Sequence, residues 1–245
     1  MAVWLFSLAL SDASISDRVW SLLIAAPAVL YASVTSVSAR DVLMLALLIA
    51  WAVRLALYAT VRNWGHGEDR RYRAMRERHG RNFGLKSAYL VFGLQGVLAW
   101  IVGWPFLAAL GMRTQFGVLG LMGTLVAAAG IVIETVADYQ LSKFLNDRKS
   151  SDAVMDKGLW AWSRHPNYFG EACTWWGLGL MALAAGGWSV VWSLVSPILM
   201  TLLLLKVSGV ALLERDIGKR RPAYRDYMAH TSAFILWPPR HGAGW

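Results

Sequence analysis

Six apolar stretches, each close to 20 residues or longer, constrain this chain more than any other feature. They cover approximately residues 18–36, 41–61, 85–111, 115–142, 167–185 and 188–213. A helix needs about 20 apolar residues to cross the hydrocarbon core of a bilayer. Within that core only helices or closed barrels satisfy their own backbone hydrogen bonds. The sequence therefore predicts an all-α polytopic membrane protein whose helices form a bundle.

A shorter apolar segment, residues 1–10, decides the number of crossings. It has about half the required length, so we expect half a helix, an interfacial segment or part of a first span. The prediction is therefore six to seven transmembrane helices. Charged residues make up 16% of the chain, against about a quarter in soluble domains. We accordingly expect residues 1–245 to form a single membrane domain.

The distribution of positive charge predicts the orientation. The chain has 24 Lys and Arg against 15 Asp and Glu, and its formal net charge is +9. The basic residues concentrate in segments 62–86, 143–164 and 206–240, and two apolar stretches separate each segment from the next. All three segments therefore lie on one side, which the positive-inside rule makes cytoplasmic, together with the C-terminus. We attribute the excess of positive charge to the positive-inside rule and to attraction by anionic lipids. No bZIP, zinc-finger or RNA-recognition pattern occurs, so we expect no nucleic-acid partner.

Several catalytic chemistries lack their sequence motifs in this chain. Cys173 is the single cysteine, which excludes an internal disulfide and a cysteine-rich metal site. The five histidines are scattered and no His-Glu-x-x-His motif occurs, so we expect no metal site. The glycine-rich phosphate loops of soluble nucleotide-binding folds are also missing. A ligand site must therefore come from polar residues close to the membrane.

The densest polar segment is Arg-His-Pro-Asn-Tyr-Phe-Gly-Glu, residues 164–171, at the start of the fifth apolar stretch. Polar groups at a membrane edge are costly unless they have partners, so this density indicates a ligand site. Pro166 suits the first turn of a helix, and the free N–H groups of such a turn favour an anion. Arg164 and His165 can donate to a phosphate or carboxylate. The alternative is a helix cap with Arg164 snorkelling to the interface.

The rest of this segment adds groups of other chemistry. Asn167 and Tyr168 offer neutral donors and acceptors. Glu171 lies one helical turn after Asn167 on the same face, where its carboxylate can orient an arginine or bind ribose hydroxyls. The segment therefore combines cationic, neutral and anionic groups.

Two carboxylates share a helix face near the end of the fourth stretch. Glu134 and Asp138 are four residues apart, which places them together on a helix. They repel each other unless a cation or ligand hydroxyls lie between them. We therefore interpret them as ligand-binding residues or as partners of Arg or Lys across the bundle.

One face of the second stretch carries Trp51, Arg54, Tyr58 and Arg62 at helical spacing. Arg54 lies inside the apolar run and needs a carboxylate or a ligand anion. Arg62 is typical of an interfacial anchor. The same cost predicts that Gln95, in the third stretch, faces the bundle interior or a hydrated cavity.

Glu214 follows the last stretch on the basic side. It can accept hydrogen bonds from Arg164 or His165. An ion pair with Arg215 or Lys219 is the alternative.

The segments Leu159–Glu171 and Ala137–Gln140, with Glu214, Tyr224 and Tyr227, carry a family resemblance. Over about residues 15–240 the chain resembles the steroid 5α-reductase C-terminal-domain family, in its bacterial branch of unknown function. The Arg-His-Pro-Asn-Tyr string is shared more loosely with sterol C14-reductases and with isoprenylcysteine and phospholipid methyltransferases. The resemblance implies a seven-helix bundle with a large cavity open to the cytoplasm, in a bacterial inner membrane.

The resemblance also implies a chemistry. The cofactor is NADPH, and the reaction reduces a carbon–carbon double bond conjugated to a ketone in a lipidic, steroid-like or isoprenoid substrate. Hydride goes to the β-carbon, and an acidic or phenolic group holds the carbonyl oxygen. By this resemblance, residues 1–84 form the substrate side and residues 85–245 form the cofactor-binding bundle. With the polar segments above, the candidate cofactor-binding residues are Arg54, Glu134, Asp138, Arg164, His165, Asn167, Tyr168, Glu171, Glu214 and Tyr227.

The substrate side departs from the family pattern. Trp51 stands where steroid reductases place the tyrosine that binds the substrate carbonyl, and Glu134 replaces an asparagine. The family's spacing puts Asp17 near the catalytic glutamate, although Asp17 is also a good helix N-cap. We assign Asp17, Tyr58 and Trp51 as candidate catalytic residues, and Tyr72 as a further substitute.

Two other functions fit the same residues. A membrane methyltransferase would hold S-adenosylmethionine with Arg164, His165 and Glu214. A non-catalytic lipid-binding protein would keep the fold but lack the pair of residues that holds the substrate carbonyl in steroid reductases. It would bind a cofactor weakly or not at all.

Overall fold

The computed structural model describes residues 1–115, 117–147, 150, 153–207, 210, 214 and 223–239, and every regular element in these ranges is helical. Five helical stretches in the described ranges are long and apolar enough to cross a membrane. They are Ile15–Val34, Ala39–Arg62, Arg70–Ala109, Val118–Asp147 and Pro166–Val207. The predicted all-α membrane class is confirmed, and the protein is an integral membrane protein.

The chain divides into two compact units, Met1–Arg113 and Thr114–Trp245. In the first unit the helices are α1 (Ala2–Leu10), α2 (Ile15–Val34), α3 (Ala39–Arg62), α4 (Arg70–His79), α5 (Phe83–Ser87), α6 (Leu94–Val102) and α7 (Trp104–Ala109). Residues 88–93 form a π-helix between α5 and α6. The helices α5 to α7 thus belong to the first unit. The predicted division at residue 84 between substrate and cofactor binding concerns function and stays a prediction.

The helices α2 and α3 form the centre of the first unit. A four-residue connection joins them, so they run antiparallel, and Ser21 Oγ donates to the Ala52 carbonyl at 2.7 Å across the pair. Their contact buries Ile24, Met44 and Leu48 completely. The apolar periodicity of both helices therefore serves mutual packing on one face and exposure to lipid on the other.

A buried ion pair holds the Ala39 end of α3. Arg40 Nη2 donates to Asp41 at 2.7 Å and to the Ala109 carbonyl at 2.9 Å, and Arg40 and Asp41 are 5% and 0% exposed. Asp41 also closes a capping box with Ser38, the N-cap residue of α3. This pair, which the sequence did not predict, ties α3 to the end of α7.

The second unit contains α8 (Val118–Asp147), α9 (Pro166–Gly186), α10 (Val195–Leu202) and α11 (Ala223–His230). Residues 187–194 form a 3₁₀-helix and residues 203–207 a π-helix on either side of α10. Gly187 has a φ of 58°, in the region that favours glycine. The chain folds back there, and the 3₁₀-helix and α10 pack against α9.

Close approach of α8 and α9 dominates the second unit. Cβ atoms built at Gly130 and Gly170 would lie 2.5 Å and 2.6 Å from backbone atoms of the opposite helix. Gly123 and Gly177 repeat this arrangement seven residues away, at 2.7 Å and 2.4 Å. Small residues that let helix backbones touch are the usual basis of tight association in membranes. The two helices are therefore held in one fixed register.

Helices cover each of the six predicted apolar stretches, whereas the predicted number of six to seven crossings stays a prediction. The fifth and sixth stretches correspond to the two 21-residue arms that meet at Gly187, Pro166–Gly186 and residues 187–207, and most residues after Val207 lie outside the described ranges. The helix α1 has nine residues and is about 14 Å long, against about 30 Å for the hydrocarbon core. It therefore gives no full crossing by itself, as its length predicted.

Candidate functional site

The guanidinium of Arg164 lies at the centre of the second unit's polar region. Its Nε and Nη2 donate to the two carboxylate oxygens of Glu214 at 2.7 Å and 2.8 Å. Its Nη1 donates to the carbonyls of Met228 and Thr231 at 2.9 Å and 2.7 Å. These hydrogen bonds use four of the five N–H groups of the guanidinium and hold it to the protein. Arg164 thus clamps Glu214 to the segment 228–231, and its predicted contact with a ligand anion stays a prediction.

Glu214 accepts from both residues that sequence analysis named as its partners. His165 Nε2 lies 3.0 Å from Glu214 Oε1, beside the bidentate arginine. Burial opposes ionisation of the carboxyl group, but the hydrogen bonds from His165 and Arg164 outweigh it and lower the pKa of Glu214 to about 2. The alternative partners Arg215 and Lys219 lie outside the described residues.

Aromatic side chains fix the segment around the start of α9 by ring stacking and by hydrogen bonds. The ring of His165 stacks on Tyr168 with centroids 5.4 Å apart. The Tyr227 hydroxyl donates to the Trp160 carbonyl, and Trp160 Nε1 donates to the Ala137 carbonyl of α8 at 3.1 Å. Burial raises the pKa of Tyr227, so its hydroxyl keeps its proton. Tyr227, predicted to bind the cofactor, thus uses its hydroxyl to hold the backbone of this segment.

The ends of α8 and α9 bring the predicted acidic and amide groups together. Asn167 Nδ2 donates to Asp138 Oδ1 at 3.1 Å. Asn167 Oδ1 is buried and has no hydrogen-bond partner among the described residues. Glu134 and Glu171, on the same two helices, are 2% and 8% exposed. Pro166 begins α9 as predicted, so the segment presents Asn167 in the first helical turn.

A cavity of about 410 Å³ adjoins the Arg164 clamp. It is lined by residues 228–233, with Trp237 and Pro238. The large cofactor cavity predicted from the resemblance stays a prediction. Within the described ranges, no group of three or more His, Cys, Asp or Glu is arranged to hold a metal ion.

A second polar cluster lies in the first unit, around Asp17. Its Oδ1 accepts from the Tyr72 hydroxyl at 2.7 Å and from Gln95 Nε2 at 3.2 Å, and its Oδ2 accepts from Arg71 Nη2 at 2.8 Å. Asp17 belongs to the first turn of α2, and the N-cap is Ser14. The N-cap interpretation of Asp17 is therefore wrong, because the helix begins at Ile15, three residues before the apolar stretch.

The α3 residues predicted on one face have different environments. Trp51 is 0% exposed and packs in the core, so its ring offers no surface to a substrate in this structure. Arg54 is half-buried one turn further along the helix. The Tyr58 hydroxyl is buried and has no hydrogen-bond partner in the described part of the chain, while the Arg62 guanidinium lies 5.7 Å from its ring centroid. The catalytic roles predicted for Asp17, Tyr58 and Trp51 stay predictions.

The roles of Gln95 and Arg71 could not be predicted from the sequence. Gln95 was expected to face inward, but no spacing linked it to Asp17, which is 78 residues away. Arg71 lay in a segment interpreted by its charge alone. Both contacts depend on tertiary folding and leave no periodic signal.

These observations define the class of the protein as an all-α integral membrane protein with buried polar clusters at helix ends in both units. The chain belongs to the family described as protein of unknown function (DUF1295), whose profile matches residues 3–231. No curated protein and no solved structure matches the chain.

Proposed function

We propose that this chain is an NADPH-dependent membrane reductase of a lipidic conjugated ketone, steroid-like or isoprenoid. The family is related to steroid 5α-reductase-like membrane proteins, which supports this class of reaction. The observation that carries the proposal is the buried Asn167 Oδ1, which has no partner among the described residues and lies beside Asp138. A buried acceptor without a partner is costly unless a ligand satisfies it.

The second unit's residues fit part of a dinucleotide. A dinucleotide offers hydroxyl and carboxamide donors, and Asn167 Oδ1, Asp138 and Glu171 are acceptors for such groups. Arg164 is committed to Glu214 and to carbonyls, so it positions the start of α9 and is not assigned to a phosphate. Bound NADPH supplies the hydride. The protein's part is to hold and orient the cofactor.

The first unit's residues fit the lipid substrate. The Tyr58 hydroxyl is a donor for a carbonyl oxygen, and donation there stabilises negative charge that develops on that oxygen. Reduction also places a proton on the α-carbon of the substrate. The Tyr72 hydroxyl, held by Asp17 at 2.7 Å, is a buried proton carrier for this purpose.

The proposed setting is a bacterial inner membrane, with membrane lipids as neighbours and the C-terminus in the cytoplasm. The three basic segments support this orientation through the positive-inside rule. In this orientation the cofactor would enter from the cytoplasm and the lipid substrate from the bilayer.

The direct test is a cofactor titration of the purified protein in detergent. We expect NADPH to raise the melting temperature, because a ligand that binds only the folded state stabilises it by mass action. Asn167→Ala should abolish this rise, whereas the exposed Asn82→Ala should keep it. No rise with millimolar NADPH in the wild-type protein would refute the proposal.

The same titration separates the other functions. A rise with S-adenosylmethionine and none with NADPH would establish the methyltransferase alternative. No rise with either cofactor would favour the non-catalytic lipid-binding alternative. The commitment of Arg164 and Glu214 to each other argues against the methyltransferase, which was expected to hold its cofactor with them.

A further inference from the structure

Three arginines of α4 are directed towards acidic residues of the first unit. Arg71 Nη2 lies 2.8 Å from Asp17 Oδ2, and Arg76 Nη2 lies 2.8 Å from Glu68 Oε1. Arg73 is exposed, and its positive charge acts on the Glu68 carboxyl group. The carboxylates of Asp17 and Glu68 are therefore occupied by arginines of the protein itself.

A second group of arginines, on α4 and the turn that follows it, has no such partner. These arginines are exposed and make no ion pair or side-chain hydrogen bond with any described residue; they are Arg70, Arg78 and Arg81. The segment 62–86 has eight Lys and Arg against three acidic residues. Two of those three carboxylates, on Glu68 and Asp69, already accept from other arginines of α4. An excess of positive charge therefore remains on the outer face.

Helix α4 lies at the edge of the membrane-spanning region. The helices α2 and α3 run antiparallel, so the first turn of α2 and the last turn of α3 lie at one end of the pair. The Asp69 backbone N–H donates to Ser14 Oγ at 3.1 Å, and the Tyr72 hydroxyl donates to Asp17 at 2.7 Å. These contacts hold α4 beside the ends of two membrane-spanning stretches. Helix α4 therefore lies where the spans leave the hydrocarbon core, at the level of the lipid headgroups.

The opposite face of α4 is fixed to the protein. Tyr72, which is 7% exposed, and Met75 pack in one apolar cluster with Phe83. Gly80 ends the helix with a φ of 56°, so α4 is separate from the apolar helices that follow. Trp64, in the connection before α4, is 75% exposed, as is typical of tryptophans at a membrane interface. An amphipathic helix with a basic outer face is typical of contact with a membrane surface.

We propose that α4 forms a binding site for anionic phospholipids, in which Arg70, Arg78 and Arg81 bind the phosphate groups of neighbouring headgroups. Phosphate oxygens are strong acceptors for guanidinium groups, and a basic segment next to a membrane span attracts anionic lipids. Arg70 and Arg78 are eight residues apart, about 12 Å along the helix. Exposed cations spread over this length suit a layer of headgroups better than one small anion. Such a site does not depend on reductase activity.

The test detects lipid next to α4 on the full-length protein in a non-ionic detergent. A bimane fluorophore is attached at exposed position 82, through Asn82→Cys in a Cys173→Ala background, so that the label lies next to Arg81. Phosphatidylglycerol or phosphatidylcholine with a nitroxide quencher near its headgroup is then titrated. Each arginine near an anionic surface contributes about 1 kcal/mol, or about fivefold in affinity. We therefore expect half-quenching at a concentration of phosphatidylglycerol at least about tenfold lower than that of phosphatidylcholine. Equal half-quenching concentrations would overturn the proposal.

Two matched variants assign the preference to α4. Arg78→Gln should raise the half-quenching concentration of phosphatidylglycerol about fivefold and leave that of phosphatidylcholine unchanged. The control is Arg113→Gln, an exposed arginine next to Met112, whose carbonyl accepts from Arg40 at the start of α3. The 24 residues of α3 place it about 36 Å from α4, beyond the range of unscreened charge, so this substitution should have an effect below about twofold. Equal effects of the two substitutions would overturn the proposal, because binding would then follow net charge alone.

A last titration separates a lipid headgroup from a soluble phosphate. Millimolar inorganic phosphate is added to the complex with phosphatidylglycerol at constant ionic strength. We expect the quenching to persist, because the lipid is held by its acyl chains as well as by its phosphate. Recovery of the bimane fluorescence would indicate a site for a soluble anion and would overturn the lipid proposal.

Discussion

Replacing Gly130 with alanine tests the packing that aligns the polar ends of α8 and α9. The added Cβ would lie 2.5 Å from the Gly170 carbonyl oxygen and from the Thr174 amide nitrogen. Ordinary contacts of this kind are at least 3.4 Å. The obstructing atoms are backbone, so no side-chain rotation relieves the overlap, and the helices must separate by about 1 Å.

The expected cost is about 3 kcal/mol, the upper part of the range for overpacked cores. For a chain of this size that corresponds to a fall in melting temperature of about 6–12 °C. The separation should also break the 3.1 Å hydrogen bond between Asn167 and Asp138, so the NADPH-dependent rise should disappear with it.

The assay is thermal unfolding of purified variants in one detergent, followed by tryptophan fluorescence. The matched control is Gly96→Ala, because a Cβ at Gly96 meets nothing within 4 Å. Alanine favours helix over glycine by about 1 kcal/mol, so this control should melt at or above the wild-type temperature. If Gly130→Ala melts no lower than Gly96→Ala, the close α8–α9 contact is refuted.

Three further predictions concern individual hydrogen bonds. Glu214→Gln should cost about 3 kcal/mol at neutral pH, the equivalent of lowering the pKa of Glu214 from 4.5 to about 2. That contribution to stability is complete above pH 4.5 and is lost as the pH falls towards 2. The difference in melting temperature between the wild-type protein and Glu214→Gln should therefore shrink between pH 6 and pH 3, and a constant difference would contradict this prediction. Tyr227→Phe should cost about 1–2 kcal/mol by removing a donor from the Trp160 carbonyl, and unchanged denaturant unfolding would exclude this role. Ser38→Ala should cost about 1 kcal/mol through loss of the α3 N-cap, measured in the same unfolding series against the exposed Ser36→Ala, which should be neutral.

The membrane-spanning helices could be predicted because crossing a bilayer requires a long apolar run, which is visible in the local sequence. Membrane crossing demands a long apolar run, and the runs ending near Arg62 and beginning near Pro166 correspond to observed helix ends within a few residues. The start of α2 was misplaced because Ser14 caps a turn before the apolar residues begin. Caps are set by backbone geometry that a hydropathy window averages away.

The site was predictable only in part. The pairing of Glu214 with Arg164 and His165 could be expected because a cation at the membrane edge needs a carboxylate and Glu214 follows an apolar stretch on the same side. The network of Asp17 with Gln95 depends on contacts between distant segments. The glycines at positions 123, 130, 170 and 177 did carry a signal, a repeated seven-residue spacing, which identifies the contact between α8 and α9 in hindsight.

The Arg164 clamp has a consequence for biogenesis. Every acceptor of its side chain among the described residues comes at least 50 residues later in the chain, at positions 214, 228 and 231. At about 5–20 residues per second, the ribosome needs several seconds to synthesise that length. Until then the Arg164 guanidinium lacks these acceptors. The start of α9 therefore reaches its native hydrogen bonding only after residue 231 has been synthesised.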